Sequence, residues 1–589
     1  MTATFAAPHI SEVVHPDGSV LVRSSDRLVE PSGTVYDAFC AGAQRHPDRL
    51  LVAEREGDGW RSLTWGDAFV RAESLARGLA RAGHAGKPIM VLSHNSIAHL
   101  IVTLAAYAAG SPVVPASVAY SMQSADHAKL AALVSTAQPA VIFAESAAYR
   151  AALDAVAAGR VVLTAEPTSF PGAVTIDELS VDGGPLPSRP AMDDVAKIMF
   201  TSGSTGNPKG VLNTHRMMAV NQQQMRQVWP FLADEPPVLL DWLPWSHTFG
   251  GNHNMNMVLT NGGTLWIDDG RPAPALIGRT VANLHDVSPT VYFNVPAGYA
   301  ALVPVLERDP QAAKEFFAHL RLAFYAAAAL PQGLWDALVG LADAQGGRAQ
   351  MTTSWGMTET APACTTTHFP TSTATSIGVP LPGVDIKLAP VGEKMELRVR
   401  GPNITPGFYG RPDLLDQVLD DEGFLCTGDA CRLVDDADPQ RGLRFDGRIA
   451  EDFKLSTGTF VSVGTLRPKL LSACAGLVND AVICGHDTDA VTALIWLHPD
   501  HAARQHDGVP DDGLRVDLEK ALVELARGAG SSQRVERLLI LTEPAVLDSG
   551  ELTDKGYINQ ARVRALRSEL VAELGAADPG PRVICCPTV

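Results

Sequence analysis

The sequence predicts an α/β protein with a large N-terminal domain of several subdomains and a small C-terminal α+β domain. Short apolar strands alternate with helical stretches over most of the length, which is typical of βαβ units in mainly parallel sheets flanked by helices. A chain of 589 residues exceeds what one hydrophobic core usually serves, since domains average roughly 150 residues. A polar segment rich in helix breakers at 435–442 divides the chain into expected domains 1–446 and 447–589.

The N-terminal domain opens its regular pattern with a helix that we expect to begin at Thr64. A threonine followed three residues later by an acidic side chain, here Asp67, favours a helix N-cap. The apolar run 100–110 is half as long as a membrane span, so it predicts a buried helix. The strands expected in this domain are Pro88–Leu92, Pro139–Ala144, Ala196–Phe200, Val238–Leu240, Thr290–Val295 and Glu396–Arg400.

The C-terminal domain shows a shorter version of the same alternation. Its expected strands are Asp480–Cys484, Val491–Leu497 and Arg537–Leu541, and its expected helices are Val516–Ala526 and Ile558–Leu574.

The charge balance of the chain is acidic. Asp and Glu number 65 against 47 Lys and Arg, which gives a net charge of −18. Such a surface disfavours nucleic acid and anionic lipid as partners, although it permits a local cationic pocket for phosphate. The eight cysteines include no C-x-x-C pair, which favours a reducing cytoplasm over a disulfide scaffold or zinc site. Neither a secretory signal nor a membrane span is expected.

The clearest chemical signal is the segment 201–210, which reads TSGSTGNPKG and follows an expected strand. Glycines let the backbone approach an anion, N–H and hydroxyl groups donate to phosphate oxygens, and Lys209 adds positive charge. Pro208, together with the absence of Ser or Thr after Lys209, distinguishes the segment from a Walker loop. We therefore expect a phosphate site here, with a helical stretch after it.

Four further segments follow in a fixed order. They are 353–359 (TSWGMTE), 426–429 (CTGD), 447–454 (GRIAEDFK) and 552–556 (LTDKG). Each is weak alone, because short motifs match by chance. Together with 201–210 they make the chain resemble the adenylate-forming superfamily of acyl- and aryl-CoA synthetases, luciferases and peptide-synthetase adenylation domains.

This resemblance implies a site for ATP and Mg²⁺. The implied nucleotide-binding residues are Thr201, Ser202, Gly203, Ser204, Thr205, Gly206, Lys209, Trp355, Gly356, Met357, Thr358, Asp429 and Arg448. In this assignment the Trp355 ring lies against adenine, Asp429 binds the ribose hydroxyls and Arg448 contacts ribose or phosphate. Thr205 and Glu359 would hold the magnesium ion.

The resemblance also implies a two-step reaction with a small-molecule carboxylic acid, ATP and coenzyme A. The acid attacks the α-phosphorus of ATP, which yields an acyl-adenylate and pyrophosphate, and the thiol of CoA then attacks this mixed anhydride. The implied catalytic residues are Lys555, Lys209, His247, Thr358 and Glu359. The small domain would be mobile and rotate about Glu451 in a hinge at 448–452, so that Lys454 and Gly458 face CoA.

The segment 243–254 (LPWSHTFGGNHN) resembles the family's substrate-gating motif, with His247 between the acyl site and the nucleotide. With 293–296, 453–464 and 552–560 it resembles bacterial feruloyl-CoA synthetases, which activate hydroxycinnamic acids. Residues expected to line the acid pocket are His247, Phe249, Asn252, Tyr292, Asn294, Tyr325, Ala327 and Ala328. An alanine stands where the family has glycine before the paired alanines near 328.

Several alternatives stay open at this point. The acid is a hydroxycinnamate or a medium- or long-chain fatty acid, and the acceptor is CoA, a carrier protein or an amine. Two hypotheses assign the chain to other functional classes. One is a kinase or ATPase that releases ADP, and the other is a binding protein without catalytic activity. The sequence leaves the oligomeric state open, with a homodimer among the arrangements.

Overall fold

The computed structural model describes residues 4–167, 170–202, 208–474 and 476–587. The chain forms two compact α/β units, which confirms the predicted fold class. The first unit comprises Met1–Ala389, Arg398–Cys426 and Leu433–Arg444, and the second comprises Pro390–Leu397, Thr427–Arg432 and Phe445–Val589. The functional division at residues 446 and 447 stays a prediction.

A seven-stranded sheet in the first unit includes the strand that leads into the glycine-rich segment. In spatial order its strands are Pro208–Thr214, Val195–Ser202, Val113–Pro115, Ile89–Leu92, Val141–Ala144, Val161–Thr164 and Val174–Thr175. All neighbours are parallel except the first two, which are antiparallel. The strands expected at 88–92, 139–144 and 196–200 are therefore confirmed.

The glycine-rich segment connects two paired strands. Thr201 lies opposite Lys209, and Ser202 lies opposite Pro208, so residues 203–207 join the arms of a β-hairpin. The expected helix after this segment is His215–Val228, and the strand Pro208–Thr214, which the sequence analysis did not predict, lies between them.

Two smaller sheets of the first unit are also mainly parallel. One contains, in spatial order, Val238–Asp241, Thr264–Ile267, Leu50–Glu56 and Gly59–Thr64, of which only the last pair is antiparallel. The other contains Val291–Asn294, Leu322–Tyr325 and Gln350–Thr353, all parallel. These sheets confirm the strands expected near 238 and 290.

The first unit also has antiparallel strands that the sequence analysis did not predict. Ile10–Val14 pairs with Val20–Ser24, which pairs in turn with Asp385–Val391. Thr365–Thr366 pairs with Ser376–Pro380. Further strands contain residues of both units: Lys394–Arg400, Leu425–Leu433 and Leu443–Arg448.

Helices follow most strands of the first unit. The α-helices are Val35–Arg45, Trp65–Arg81, Ile97–Ala108, Val118–Met122, Ala128–Ala137, Arg150–Val156, Ile176–Leu179, His215–Val228, Met255–Asn261, Ile277–Asp286, Pro296–Arg308, Pro310–Phe317, Gln332–Ala344 and Asp413–Val418. Thr64 caps the second helix by accepting from the N–H of Asp67, as predicted. Ile97–Ala108 is buried along almost its whole length, which confirms the helix expected at 100–110. Within the described ranges, no helix combines the length and apolar character needed to cross a membrane.

The second unit is α+β, as predicted. Its main sheet contains, in order, Val478–Cys484, Val491–Leu497, Val535–Ile540 and Val583–Cys585, and its α-helices are Val463–Ala473, Asp512–Ala526, Gln560–Leu566 and Ser568–Leu574. The single helix expected at 558–574 is wrong, because Arg567 interrupts it. The Arg567 guanidinium pairs with the buried Glu551 at 2.6 Å and also donates to backbone carbonyls outside the helix.

Candidate active site

The carboxyl ends of three parallel strands bring two predicted motifs side by side. Asn294, Tyr325 and Thr353 end these strands and are neighbours in register. The small residues 326–329 follow the second strand, and the motif 354–359 follows the third. Ligands of open parallel sheets bind outside the carboxyl ends of the strands. This edge is therefore a candidate ligand site.

The motif 354–359 forms a compact turn. The N–H of Trp355 donates to Thr365 Oγ1 at 3.1 Å, and the carbonyl of Trp355 accepts from the N–H of Cys364 at 3.0 Å. Gly356 is required by packing, because a methyl group at this position would overlap the carbonyl of Pro362. The turn is fixed by backbone contacts, so it offers a defined surface to a ligand.

A buried amide joins this turn to the gating motif. Asn213, in the strand after the glycine-rich segment, is fully buried and donates from Nδ2 to the carbonyl of Thr358 at 3.1 Å. Asn252 donates from its own Nδ2 to Asn213 Oδ1 at 2.6 Å and to Thr248 Oγ1 at 3.2 Å. Asn252 thus belongs to this network, and Asn213 is a residue that sequence reasoning missed. No local pattern marks it, since its partners are 39 and 145 residues away.

The gating motif contains a π-helix at Phe249–Asn254. His247 precedes it and is half-buried, and its carbonyl accepts from the N–H of Gly251 at 2.8 Å. His253 is buried within about 6 Å of the rings of Trp229, Phe249, Phe293 and Phe324. Burial lowers the pKa of His253 to about 4, so this histidine is neutral at pH 7.

The residues expected to line the acid pocket divide between the two faces of the three-stranded sheet. Side chains alternate along a strand, and Phe293 lies on the face that contacts Phe249 at 6.1 Å. Tyr292 lies on the opposite face, where its hydroxyl accepts from Asn294. Tyr325 donates to the carbonyl of Ala374. The structure therefore groups Phe249 with His253 and separates both from Tyr292; Ala327 and Ala328 are exposed beyond the strand end.

A polar cavity of about 440 Å³ lies beside the start of the gating motif. Its wall contains Trp245 and Ser246 of the gating motif and the preceding Trp242. It also contains acidic and basic residues, namely Glu54, Arg55, Arg61, His94, Glu145, Asp268, Asp269 and Arg271. None of the predicted acid-pocket residues lies in its wall. Trp242 connects this cavity to the predicted acid-pocket residues, since its indole N–H donates to Asn294 Oδ1 at 3.2 Å.

Other predicted nucleotide residues of the first unit are placed only in part. Gly203, Ser204, Thr205 and Gly206 lie outside the described residues, and only the backbone of Ser202 is described. Lys209 is half-buried, as are Met357 and Glu359, whereas Thr358 is buried. Carboxylate and hydroxyl oxygens are ligands that Mg²⁺ accepts, so the half-buried carboxyl group of Glu359 fits the predicted metal role.

In the second unit, Asp429 and Arg448 lie together. The Arg448 Nε atom is 3.5 Å from Asp429 Oδ1. The side chain of Arg448 is two-thirds exposed, whereas that of Asp429 is mostly buried. The adjacent Gly428 donates its N–H to Glu396 Oε1 at 3.2 Å, which fixes the backbone of this turn.

The predicted hinge is anchored by a buried ion pair that sequence reasoning missed. Lys394 Nζ lies 2.5 Å from the carboxyl group of Asp452, the residue after Glu451, and donates to Ser462 Oγ at 3.0 Å. Burial raises the pKa of Asp452. Lys454 and Gly458 are exposed, and Gly458 has a φ of +80°, a backbone conformation that favours glycine.

Lys555 stands at the tip of a tight turn. The N–H of Gly556 donates to the carbonyl of Thr553 at 3.0 Å, and the N–H of Thr553 donates to the carbonyl of Tyr557 at 2.8 Å. Gly556 has a φ of +78°, which explains why a glycine follows Lys555. The lysine is exposed and carried on a well-defined support.

Residues 39–409 match the sequence profile of the AMP-binding enzyme family, which is more than half of the chain. The chain belongs to the AMP-binding enzyme family. The resemblance to the adenylate-forming superfamily is therefore confirmed. The roles of individual residues in this AMP-binding enzyme stay predictions.

Two relatives of this AMP-binding enzyme are named as enzymes that form CoA thioesters. A feruloyl-CoA synthase from an Amycolatopsis species is 29% identical over 392 residues, which are 64% of this chain and 72% of the relative. A CoA ligase from Rhodococcus jostii, named for a methyl-dioxo-octahydro-indenyl propanoyl group, is 26% identical over 430 residues, or 69% of this chain and 78% of the relative. Among solved structures, the adenylation domain of a carboxylate reductase from Mycobacterium chelonae superposes with a TM-score of 0.74 at 20% identity, covering 93% of this chain and 92% of that one. At that identity the likeness establishes the fold alone.

The AMP-binding enzyme should lose ATP affinity when Asp429 is replaced by alanine. The ribose hydroxyls would lose their carboxylate partner, so we expect the KM for ATP to rise about tenfold with kcat little changed. Steady-state kinetics with varied ATP measures this. Asp429→Asn retains one acceptor oxygen and should show a smaller rise. An unaltered KM in both variants removes Asp429 from the nucleotide site.

A buried carboxyl group under the gating motif should make stability fall as the pH rises. Burial raises the pKa of Asp241 to about 7, although Asn254 Nδ2 and the N–H of Leu243 donate to it. Between pH 4 and 7 the unfolded chain has lost this proton while the folded chain still holds it, so the folded state is progressively penalised. Relative to Asp241→Asn, the wild type should lose about 3 kcal/mol between pH 4 and 8 in denaturant titrations. A constant difference across that range contradicts the assignment.

Ala327 adopts a backbone conformation that glycine would adopt at lower cost. Its φ is +73°, in the left-handed region, which costs an alanine about 1–2 kcal/mol. After the extra chain entropy of glycine is subtracted, Ala327→Gly should raise the free energy of unfolding by about 0.5–1 kcal/mol. Ala328→Gly, at an ordinary φ, should lower it. Denaturant melts of the two variants distinguish them, and equal effects would refute the strain.

Proposed function

We propose that this AMP-binding enzyme is an ATP-dependent acid–CoA ligase that activates ferulate or a related hydroxycinnamate. One observation carries the proposal. Asn213 holds the turn 354–359 and the gating motif together through two buried hydrogen bonds of 3.1 and 2.6 Å. The motifs predicted for the acid and for the nucleotide are thus joined through one buried side chain, and the turn 354–359 follows the carboxyl end of a parallel strand, where ligands of such sheets bind. Family membership and the names of the relatives support acid–CoA ligase chemistry.

In the first step, a carboxylate oxygen attacks the α-phosphorus of ATP. The new P–O bond forms as the bond to the β-phosphate oxygen breaks, and pyrophosphate leaves with the electron pair. Lys209 and Lys555 offset the negative charge that accumulates, so positioning and electrostatics suffice without a protein nucleophile. Bound magnesium, held by Glu359 and Thr205, would supply further charge neutralisation. His247 and the Trp355 ring orient the acid and adenine.

In the second step, the CoA thiolate attacks the acyl carbonyl and AMP leaves. A lysine that serves the first step obstructs the second, which is why rotation of the second unit about Glu451 is chemically reasonable. Lys454 and Gly458 would then face the pantetheine arm, where the missing side chain of Gly458 leaves room. The exposed positions of both residues are compatible with this role.

The choice of an aromatic acid is the finer part of the proposal. The Amycolatopsis relative is named for the aromatic feruloyl group, whereas the Rhodococcus relative is named for an acid with a non-aromatic ring system. The gating motif also places Phe249 against the rings of Phe293 and Phe324, and aromatic neighbours favour a flat aromatic ligand. A medium- or long-chain fatty acid, or an acceptor other than CoA, is the competing assignment. A cytoplasmic site of action is part of the proposal.

A pyrophosphate-release screen across carboxylic acids, with and without CoA, tests the function. We expect AMP and pyrophosphate from ferulate and 4-hydroxycinnamate, and an acyl-CoA product only when CoA is present. Release with fatty acids and none with hydroxycinnamates would transfer the assignment to fatty-acid activation. Formation of ADP instead of AMP would overturn the reaction class.

A further inference from the structure

A lysine that plays no part in the reaction described above is buried beneath the gating motif. Lys197 lies in the strand Val195–Ser202 and is only 2% exposed. Its Nζ atom donates to the carbonyl of Gly251 at 2.7 Å. Within the described part of the chain, no ion pair of Lys197 is found. Burial of an ammonium group without a carboxylate costs free energy of folding. The hydrogen bond to Gly251 is the contact that accounts for the position of Lys197.

Gly251 connects Lys197 to His247. Its carbonyl accepts from Lys197, while its N–H donates to the carbonyl of His247 at 2.8 Å. The two peptide groups of this one glycine thus link the buried ammonium to the backbone of the predicted acid-site histidine. Glycine is required there, because a methyl group would overlap the carbonyl of Trp245 and approach Lys197 Nζ. The turn around Gly251 therefore has little conformational freedom once Lys197 holds the carbonyl of Gly251.

A histidine is the titratable neighbour of the ammonium that the described residues supply. His99 faces it from the helix Ile97–Ala108 and packs edge-on against Trp245 at 5.0 Å. Burial lowers the pKa of His99 to about 4, so it is neutral at pH 7. Burial also lowers the pKa of Lys197 to about 7. The hydrogen bond to Gly251 is available from either protonation state, since both the ammonium and the amine carry N–H groups.

We propose that Lys197 is a positioning residue for acid activation, which holds the carbonyl of Gly251 and thereby fixes the turn that carries His247. The strand of Lys197 continues into Thr201 and the glycine-rich segment. The strand that leads into the predicted nucleotide segment thus also carries the side chain that holds Gly251. The inference rests on the proposed role of His247 in the acid site.

The test compares Lys197→Met, His247→Ala and the double variant in pyrophosphate release. Lys197→Met removes the buried hydrogen bond to Gly251, so we expect kcat/KM for the acid to fall about 10- to 100-fold while the KM for ATP changes less than about twofold. Because Lys197 acts through His247, the double variant should be no worse than His247→Ala alone. Multiplied losses, or an equal rise in the KM for ATP, would overturn the proposal.

Further variants separate folding from positioning. Lys197→Gln keeps an N–H donor without charge and should recover part of the lost kcat/KM; a Gln variant as poor as the Met variant, with both folded by circular dichroism, contradicts the hydrogen-bond role. Lys314→Met, at an exposed lysine, is the matched control and should match the wild type. If His247→Ala itself is fully active, the acid-site assignment of His247 fails. That outcome is distinct from multiplied losses, which reject Lys197 alone.

Discussion

Replacement of Lys555 by alanine is expected to abolish acyl-adenylate formation and to leave thioester formation nearly intact. Pyrophosphate release should fall by about 100- to 1,000-fold, because a cation aimed at developing phosphate charge has its largest effect in the transition state. Conversion of supplied acyl-adenylate to acyl-CoA should change less than about threefold. The two half-reactions are measured separately, one by pyrophosphate release and the other by CoA consumption.

The matched control for this experiment is Lys520→Ala, another exposed lysine of the same unit. It should leave both half-reactions unchanged. Lys555 is carried on a turn closed by backbone hydrogen bonds from Thr553 and Gly556, so removal of its side chain should not alter the fold. Equal losses in both half-reactions would show that Lys555 does not serve the first step selectively.

Gly356→Ala should have a comparably large effect for a steric reason. The added methyl group would overlap the backbone carbonyl of Pro362, and backbone atoms cannot move aside as a flexible side chain does. The turn that carries Trp355 and Thr358 must then shift. We expect kcat/KM for ATP to fall by at least about 100-fold, with the free energy of unfolding lowered by about 1–3 kcal/mol.

Gly333→Ala is the control for Gly356→Ala. Gly333 lies in the helix Gln332–Ala344, and a methyl group there would meet nothing within 4 Å. Alanine in a helix should stabilise the protein by about 0.5–1 kcal/mol and leave activity unchanged. Normal ATP kinetics in Gly356→Ala would remove this turn from the nucleotide site. A loss in both variants would indicate a general sensitivity of this unit to substitution.

Much of the fold was predictable, because strands and helices carry local signals. The Thr64 cap, the buried helix near 100 and the parallel strands near 89, 141 and 291 follow from apolar periodicity and capping chemistry. The antiparallel pairing of Val20–Ser24 with Asp385–Val391 was not, since its partners are more than 350 residues apart and nothing in either segment specifies the other. Arg567 interrupts the expected helix and forms an ion pair with Glu551, a contact that periodicity cannot reveal.

The candidate site shows the same limit. The motif residues with glycine, hydroxyl and charged side chains were recognised because their chemistry is visible in short segments. Asn213, Lys197 and Lys394 were not, because each acts through a buried contact with a residue far along the chain. After the glycine-rich segment the predicted helix is present at His215–Val228, but the strand Pro208–Thr214 before it was not predicted. Pro208–Thr214 is apolar enough for either a strand or a helix start, and pairing with Val195–Ser202 decides between them.

The amide chain from Asn252 through Asn213 to Thr358 has a consequence for engineering of substrate range. Libraries that randomise the gating motif around His247 are expected also to perturb the turn 354–359, because a rearranged Asn252 would release Asn213. Improved variants should therefore arise more often when positions 213 and 252 are kept as a pair. In selections that vary positions 213 and 252 independently, variants that accept new acids are expected to have a higher KM for ATP.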